Sequence, residues 1–238
     1  MKKAAVIGAS SGIGYELAII LWQQGYRVAV AARRLELLEK LNQHCQNELT
    51  AGFMDLNEPE QAMKTLDNFI ETLGGLDLVI ISSGTGEIND DLCWEIEKST
   101  IQTNVTGFTA IACRAMQHFI EKKSGHLAGI SSIAGERGGR SSPAYNASKA
   151  FVSNFLEGLR QKCVHDRIPV HITDIRPGFV DTAMAKGEGI FWSASPQKAA
   201  RQIFSAIEGK QNLVYITRRW RLISWLLKIL PDFLYNRL

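Results

Sequence analysis

The sequence predicts a three-layer, doubly wound α/β fold with a mostly parallel, seven-stranded sheet and helices on both faces. Short apolar runs alternate along the chain with longer segments whose apolar residues recur at helical spacing. Several of the short runs are continuously aliphatic or β-branched, which is typical of strands buried on both faces. This alternation indicates parallel strands connected by helices.

Seven apolar runs are the candidate strands: Ala4–Ile7, Arg27–Ala31, Leu49–Met54, Leu76–Ser82, Gly125–Ser131, Val170–Ile175 and Leu213–Thr217. Segments with helical periodicity lie between them: Gly14–Gln24, Leu35–Gln46, Glu60–Leu73, Leu92–Lys122 and Tyr145–Cys163. No repeat or low-complexity segment interrupts the pattern, so we expect one domain over residues 1–217. Ligands of such sheets bind beyond the carboxyl ends of the strands, where the strand order reverses.

Composition limits the class of protein. The 238 residues are 45% hydrophobic and 21% charged, which is typical of an ordinary globular protein. The apolar start Ala4–Gly8 is too short for a signal peptide, and no run reaches the eighteen residues of a membrane span. We therefore expect a cytoplasmic protein. The cysteines are scattered without a Cys-x-x-Cys pair, which predicts free thiols and no metal site; they are Cys45, Cys93, Cys113 and Cys163.

The net charge of +3 is concentrated at the C-terminus. Residues 218–238 contain five basic side chains and one acidic side chain, a net charge of +4, so the rest of the chain is close to neutral. A neutral body gives little electrostatic support for nucleic-acid binding.

A glycine-rich turn follows the first candidate strand and opens the first helix. It reads Gly8-Ala9-Ser10-Ser11-Gly12-Ile13-Gly14. Glycines let the backbone approach a pyrophosphate, and the free N–H groups at a helix start favour phosphate. The two serines add hydroxyl donors, and Ser11 could also cap the helix. The alternative is a tight strand–helix turn that binds no ligand.

The ends of the second and third strands indicate which nucleotide this turn would bind. An acidic residue after strand two suits the ribose hydroxyls of NAD, whereas arginine suits the 2′-phosphate of NADP. Arg33 and Arg34 stand there, with no carboxylate before Glu36, so we expect NADP(H) in preference to NAD(H). The alternative is two solvated arginines. Asp55 and Leu56 close strand three and could contact the adenine edge, although Asp55 could also cap the next helix.

A third group of residues suggests proton transfer. Tyr145 and Lys149 lie four positions apart, so on a helix both side chains can face one pocket. An ammonium beside a phenol favours phenolate and lowers the tyrosine pKa. Ser132 lies thirteen residues upstream of Tyr145. The tyrosine–lysine spacing is weak evidence alone and much stronger beside a serine and a nucleotide-type turn.

With these motifs in order, the chain closely resembles the short-chain dehydrogenase/reductase family, which has a Rossmann fold. The resemblance runs through residues 3–217. It rests on the glycine turn and on four further motifs, namely Asn104-Val-x-Gly107, Ser131-Ser132-x-Ala134-Gly135, Tyr145-x-x-x-Lys149 and Pro177-Gly178-Phe-Val-Asp-Thr182.

The resemblance implies a role for each matching residue. Tyr145 would protonate the developing alkoxide, Lys149 would lower the tyrosine pKa and bind the nicotinamide ribose, and Ser132 rather than Ser131 would hold the carbonyl oxygen. Asn104 would help to position a relay water near Lys149. Further cofactor contacts would come from Ser83, Gly84, Pro177, Gly178, Val180 and Thr182.

Two positions depart from the family pattern. Ile81-Ser82-Ser83-Gly84 stands where the family has Asn-Asn-Ala-Gly, so the bracing asparagine contacts are lost, although Ser82 could replace them in part. Ile7 replaces the usual threonine before Gly8. Neither departure involves Ser132, Tyr145 or Lys149.

The implied activity is an NADPH-dependent carbonyl reductase, reversible as an alcohol dehydrogenase, with an apolar ketone or aldehyde substrate. A serine hydrolase is excluded because no Gly-x-Ser-x-Gly surrounds Ser132, and His126 and His171 fall in strand patterns. The remaining alternative is a catalytically silent, NADP-binding sensor or scaffold. The resemblance also implies a homodimer or homotetramer built on Leu92–Lys122 and Tyr145–Cys163.

Two C-terminal segments bear on the substrate. Residues 183–193 could form a mobile lid over a hydrophobic substrate or an ordinary packed loop. Residues 218–238 are expected to form a basic amphipathic helical extension that Pro231 interrupts. Its broad apolar sector could contact a membrane interface peripherally, pack across a subunit interface or cover the substrate pocket.

Overall fold

A computed structural model describes residues 1–182 and 192–237. Seven parallel strands in these residues form one sheet in the order β3-β2-β1-β4-β5-β6-β7. The strands are β1 Lys3–Ile7, β2 Arg27–Ala32, β3 Thr50–Phe53, β4 Leu78–Ile81, β5 Gly125–Ile130, β6 Val170–Pro177 and β7 Leu213–Ile216. The predicted doubly wound Rossmann fold is confirmed, and every strand pair is parallel.

The helices connect these strands on both faces of the sheet. They are α1 Gly12–Gln23, α2 Leu35–His44, α3 Pro59–Leu73, α4 Trp94–Ile101, α5 Phe108–Lys122, α6 Pro143–His165, α7 Pro196–Glu208, α8 Trp220–Ile229 and α9 Asp232–Tyr235. None of the helices in residues 1–182 and 192–237 is long and apolar enough to cross a bilayer.

The predicted continuous helix Leu92–Lys122 is wrong in detail. Leu92 has φ 53°, a left-handed conformation outside the helix, and the Asn89 side chain accepts a hydrogen bond from the Cys93 backbone N–H. The helix therefore starts at Trp94. A π-helical segment, Gln102–Gly107, then separates α4 from α5. Such segments occur often at functional sites.

Two apolar clusters form the core, one on each face of the sheet. Successive strand residues point to opposite faces, so Val6 packs with α1, α2 and α7, whereas Ile7 packs with α3, α5 and α6. The strand order reverses between β1 and β4, where Gly8 and Ser82 follow the strand ends. A crevice at this point is the expected ligand site.

Candidate functional site

A cavity of about 620 Å³ opens at the carboxyl ends of the strands. It brings together most of the residues that the sequence predicted for the site: Gly8, Ser10, Ser11, Gly12, Ile13, Arg33, Arg34, Asp55, Leu56, Ser83, Gly84, Ser132, Tyr145, Lys149, Pro177, Gly178, Val180 and Thr182. Gly14 and Asn104 do not line it. The loop predicted at 183–193 lies largely outside the described residues.

The glycine turn is shaped by close backbone contacts. Gly8 and Gly12 have φ of 93° and 61°, which side-chain-bearing residues rarely adopt. A Cβ on Gly14 would lie 2.3 Å from the Gly8 carbonyl oxygen, so this glycine permits α1 to pack against the turn. Gly14 thus shapes the glycine turn without lining the cavity itself.

The two arginines after β2 are arranged differently. The Arg34 guanidinium donates hydrogen bonds of 2.9 Å to the hydroxyls of both Ser10 and Ser11. Ser11 occupies the N-cap position of α1, but its side chain makes no capping hydrogen bond, so the additional capping role considered for Ser11 is not observed. Arg33 is exposed and lines the cavity.

Asp55 lines the cavity but does not cap the following helix. Its carboxylate accepts a hydrogen bond of 3.0 Å from the Asn57 backbone N–H, which closes a local turn. Helix α3 begins later, at Pro59, with Glu58 at its N-cap. The capping alternative is therefore wrong, and Asp55 remains at the cavity wall beside Leu56.

The end of β4 is tied to β1 through its backbone. The N–H groups of Ser82 and Ser83 both donate to the Ile7 carbonyl, at 2.8 and 2.9 Å. A Cβ on Gly8 would lie 2.6 Å from the Ser83 nitrogen. These contacts hold the two strands together where the family has asparagines.

Ser131 and Ser132 point in different directions. The Ser131 hydroxyl donates to the buried Asp174 carboxylate and to the Ile175 carbonyl, so it braces β5 against β6. Ser132 has an extended backbone, and its oxygen accepts a hydrogen bond of 3.1 Å from the Ala134 N–H. The Ser132 hydroxyl donates one long hydrogen bond, of 3.4 Å, to the Pro177 carbonyl, so it is held less tightly than the Ser131 hydroxyl and can turn to a ligand beside Tyr145.

Helix α6 carries Tyr145 and Lys149 into the same part of the cavity. The Lys149 ammonium lies 5.7 Å from the Tyr145 ring centroid and donates a hydrogen bond of 3.1 Å to the Ile130 carbonyl. Only 5% of Lys149 is exposed. Burial lowers the pKa of Lys149 to about 8, although the negative charge of Asp174 opposes the shift.

The tyrosine pKa differs from the sequence expectation. Burial raises the pKa of Tyr145 above its ordinary value, and hydrogen bonding with Ser132 offsets part of that rise. The shift is therefore upward, because loss of hydration disfavours phenolate more than the surroundings stabilise it. The upward shift keeps the Tyr145 phenol protonated, which is the form that a proton donor needs.

Asn104 lies in the π-helical segment and is 2% exposed. Its amide donates to the Thr85 carbonyl at 2.7 Å and to the Ser148 hydroxyl at 3.0 Å, and its oxygen accepts from the Thr85 N–H at 2.8 Å. These bonds occupy the side chain and fix the loop after β4 against α6. Asn104 does not line the cavity, so it affects the cavity through the residues that it positions.

Several residues near the site were missed by the sequence predictions. Gly86 packs against Tyr145, since a Cβ there would lie 2.3 Å from the ring. Asn146 donates to the carbonyls of Ala134 and Arg137, and Phe179 lines the cavity. The second glycine of Gly84-x-Gly86 was a usable signal for a close contact. Nothing in the spacing indicated the other two.

The cavity suits a dinucleotide. The first turn of α1 presents backbone N–H donors beside serine hydroxyls and two guanidinium groups, which is a donor set for phosphates. At two further positions on the cavity wall, a glycine without a side chain leaves the space between opposite walls open. A Cβ on Gly12 would approach Thr182 to 3.1 Å, and one on Gly84 would approach the Lys149 ammonium to 3.0 Å. No His, Cys, Asp and Glu group in residues 1–182 and 192–237 is arranged to bind a metal ion.

The proteins that this chain resembles in sequence are described as dehydrogenases or oxidoreductases. The profile of a family described as short chain dehydrogenase matches residues 2–189. An uncharacterized oxidoreductase of Myxococcus xanthus is 38% identical over 191 residues, covering 77% of this chain and 74% of the relative. An uncharacterized oxidoreductase of Staphylococcus aureus is 35% identical over 189 residues, covering 77% and 80% of the two chains.

Solved structures share the fold at low sequence identity. A short chain dehydrogenase/reductase from Burkholderia phymatum in complex with NAD matches with a TM-score of 0.85 and 19% identity, covering 94% of this chain and 92% of that chain. A short-chain dehydrogenase from Sphingobium yanoikuyae in complex with NADPH matches with a TM-score of 0.82 and 18% identity, covering 98% and 97%. Both NAD and NADPH are thus found in proteins of this fold.

Proposed function

The chain belongs to the short-chain dehydrogenase/reductase family, and we propose that it is an NADPH-dependent carbonyl reductase, reversible as an alcohol dehydrogenase. The observation that carries this proposal is the convergence of Ser132, Tyr145 and Lys149 in the cavity that also contains the glycine turn. A sensor or scaffold without turnover would need the nucleotide end of the cavity but not these three side chains together.

Each side chain has a chemical task in carbonyl reduction. NADPH, when bound, would supply the hydride. The Ser132 and Tyr145 hydroxyls converge on the carbonyl oxygen of the substrate and stabilise the negative charge that develops there. Tyr145 then donates its proton to this oxygen. Lys149 keeps a positive charge near the phenol while that proton leaves. In the oxidation direction Tyr145 takes the proton back from the alcohol.

Asn104 acts as a positioning residue in this scheme. Its hydrogen bonds to Thr85 and Ser148 fix the loop that carries Gly84 and the helix that carries Lys149. The sequence-based proposal that Asn104 also orders a relay water near Lys149 is retained. The π-helical backbone around Asn104 is consistent with a functional position, because π-helical segments are frequent at functional sites.

The preference for NADPH is proposed from charge. Arg33 and Arg34 lie at the cavity edge after β2, and no carboxylate stands at that position. Guanidinium groups bind phosphate through paired hydrogen bonds, so an adenosine 2′-phosphate is favoured over bare ribose hydroxyls. The other proposed nucleotide contacts are the predicted residues that line the same cavity, namely Gly8, Ser10, Ser11, Gly12, Ile13, Asp55, Leu56, Ser83, Gly84, Tyr145, Lys149, Pro177, Gly178, Val180 and Thr182.

The substrate is proposed to be an apolar ketone or aldehyde. Ile88 and Phe179 are apolar residues that line the same cavity as Ser132 and Tyr145. Four free thiols support function in a reducing compartment such as the cytoplasm. We treat residues 1–217 as the catalytic domain and residues 218–238 as its extension.

A homodimer or homotetramer is supported by exposed apolar side chains on the long helices. Ile101, Ile120 and Phe151 are partly exposed on α4, α5 and α6. Light scattering coupled to size-exclusion chromatography tests the assembly; a monomer at micromolar concentration would contradict it.

Replacement of Tyr145 by phenylalanine tests the proposed reaction. Tyr145→Phe removes the proton donor and retains the ring, so turnover should fall by about a thousandfold while NADPH affinity stays unchanged. NADPH oxidation against a carbonyl panel that includes long-chain members measures turnover, and nucleotide fluorescence measures binding. Tyr26→Phe, at the opposite end of the sheet, is the control. Wild-type protein that binds NADPH yet reduces no carbonyl would favour the sensor.

A further inference from the structure

Helix α8 has its polar side turned toward the protein. Ser224 is only 2% exposed, and its hydroxyl donates to the Glu136 carboxylate at 2.7 Å and contacts the Tyr215 hydroxyl at 2.8 Å. Lys228, one turn later, reaches the same carboxylate at 3.2 Å. The side of α8 that usually faces solvent in an amphipathic helix therefore packs against the body.

The apolar side of the same helix faces outward. Leu222, Trp225 and Ile229 are 72%, 63% and 54% exposed, and they recur at helical spacing with Leu226 between them. Phe233 in α9, beyond Pro231, is a fifth large apolar side chain of this segment that is exposed, at 65%. We call these five residues the outer stripe. A contiguous exposed apolar surface of this kind marks a contact with a partner or a membrane.

The outer stripe is held in a fixed position. The Arg137 guanidinium donates to the carbonyls of Leu227 and Leu230 at 3.1 and 2.9 Å and pairs with the Asp232 carboxylate at 2.6 Å. The Tyr235 hydroxyl donates to the Gly138 carbonyl at 2.6 Å. These bonds secure the end of α8 and the whole of α9. These hydrogen bonds to the rest of the fold therefore fix the direction in which the outer stripe faces.

Positive charge flanks the outer stripe. Arg218 and Arg221 are exposed at its start, and Arg237 is exposed beyond its end. The acidic residue of the segment, Asp232, is bound to Arg137. A second copy docked on this face would bring like charges together across a two-fold axis, whereas anionic lipid headgroups complement them.

We propose that the outer stripe binds the surface of an anionic lipid bilayer, with α8 lying in the plane of the interface. Leucine, isoleucine and phenylalanine would enter the boundary between headgroups and acyl chains, and Trp225 would lie at headgroup depth. The flanking arginines would contact the lipid phosphates. The helix is too short to span the bilayer, so the attachment is peripheral and reversible.

Co-sedimentation of the full-length protein with vesicles tests this attachment. We expect binding to vesicles of phosphatidylcholine with phosphatidylglycerol, and much weaker binding to phosphatidylcholine alone. The double substitution Trp225→Ser with Ile229→Ser should reduce partition by at least about tenfold, because it removes two membrane-facing apolar groups. Trp94→Ser with Val164→Ser, side chains of comparable exposure on α4 and α6, should leave partition unchanged.

The contribution of charge is tested separately. Arg218→Gln with Arg221→Gln should weaken binding to the anionic vesicles by about fivefold per arginine and leave the weak binding to phosphatidylcholine unaffected. Arg167→Gln with Arg201→Gln, two exposed arginines elsewhere, is the matched control. Unfolding midpoints of all variants must match the wild-type value, which separates loss of binding from loss of structure.

Three outcomes would overturn the proposal. The first is failure of the wild type to sediment with anionic vesicles. The second is equal partition of the outer-stripe and control variants. The third is a lipid-free dimer that the Trp225 and Ile229 substitutions dissociate, since the stripe would then be a subunit interface. These readouts require no turnover, so they hold or fail independently of the reductase activity.

Discussion

The Ser224 hydroxyl and the Glu136 carboxylate are joined by a hydrogen bond of 2.7 Å between α8 and the 3₁₀ turn Ile133–Glu136 that follows Ser132. Arg176 at the end of β6 pairs with the same carboxylate at 2.8 Å. Glu136 therefore connects the C-terminal helix, the sheet and the loop that carries Ser132. Its burial alone would raise its pKa, but the Ser224 hydrogen bond and the Arg176 charge hold the pKa below its ordinary value.

Glu136→Gln should lower the free energy of unfolding by about 2 kcal/mol at neutral pH, because it weakens hydrogen bonds to a buried charge. Since the folded pKa is the lower one, the wild-type advantage should disappear as the pH falls below the ordinary glutamate value of about 4.3. Urea unfolding measures both effects. Asp166→Asn, which breaks the exposed ion pair with Lys162, should cost much less, because an exposed ion pair is screened by solvent. Equal costs would contradict the structural role of Glu136.

Arg33→Ala should weaken NADPH binding by about tenfold and leave NADH binding unchanged, because it removes the proposed charged hydrogen bond to the 2′-phosphate. Arg34→Ala should weaken both nucleotides, since Arg34 also orients the Ser10 and Ser11 hydroxyls. Fluorescence titration of each variant with both cofactors measures these affinities. A parallel loss for NADPH and NADH in Arg33→Ala would refute the 2′-phosphate contact.

Gly86→Ala should lower kcat by about a hundredfold, because the added methyl group would lie 2.3 Å from the Tyr145 ring and displace it. NADPH affinity should change little. Gly158→Ala, in the same helix as Tyr145, meets no atom within 4 Å and should retain full activity. Steady-state kinetics of the two variants provide the comparison. Normal turnover in Gly86→Ala would mean that the tyrosine position tolerates this displacement.

Lys149→Met should change how stability depends on pH. The folded pKa of Lys149 is about 8 and the unfolded one is 10.5, so the folded protein binds fewer protons between these values. Wild-type stability should therefore rise relative to Lys149→Met by up to about 3 kcal/mol from pH 8 to 10.5. Urea unfolding at several pH values measures the difference. Parallel curves would show that Lys149 has an ordinary pKa.

Local patterns were sufficient to predict the fold. Continuous apolar strands such as Val28–Ala31 can be buried only in a sheet covered on both faces, and the glycine turn located the first crossover. The details that failed depend on contacts remote in sequence. The start of α4 at Trp94 is set by Asn89, and the π-helical segment after Ile101 has no periodicity signal of its own.

The candidate site was predictable where a residue is proposed to act through its own chemical group. Ser132, Tyr145 and Arg33 are examples, and all three line the cavity. Residues that act through packing or bracing were not predictable, because their partners come from other elements. Glu136 is one such residue, since its partners Tyr215, Ser224 and Lys228 lie about eighty or more positions away.

The outward turn of α8 depends on a small set of paired positions in the body. Glu136 and Arg137 each hold groups from residues 218–237, and Gly178 leaves space that the Trp220 ring fills. If the C-terminal segment of a homologue were joined to a catalytic domain with other residues at these positions, it would lose the contacts that place α8 next to the loop after Ser132. The two parts of the chain are therefore expected to diverge together, as a coupled unit rather than as an enzyme with an exchangeable anchor.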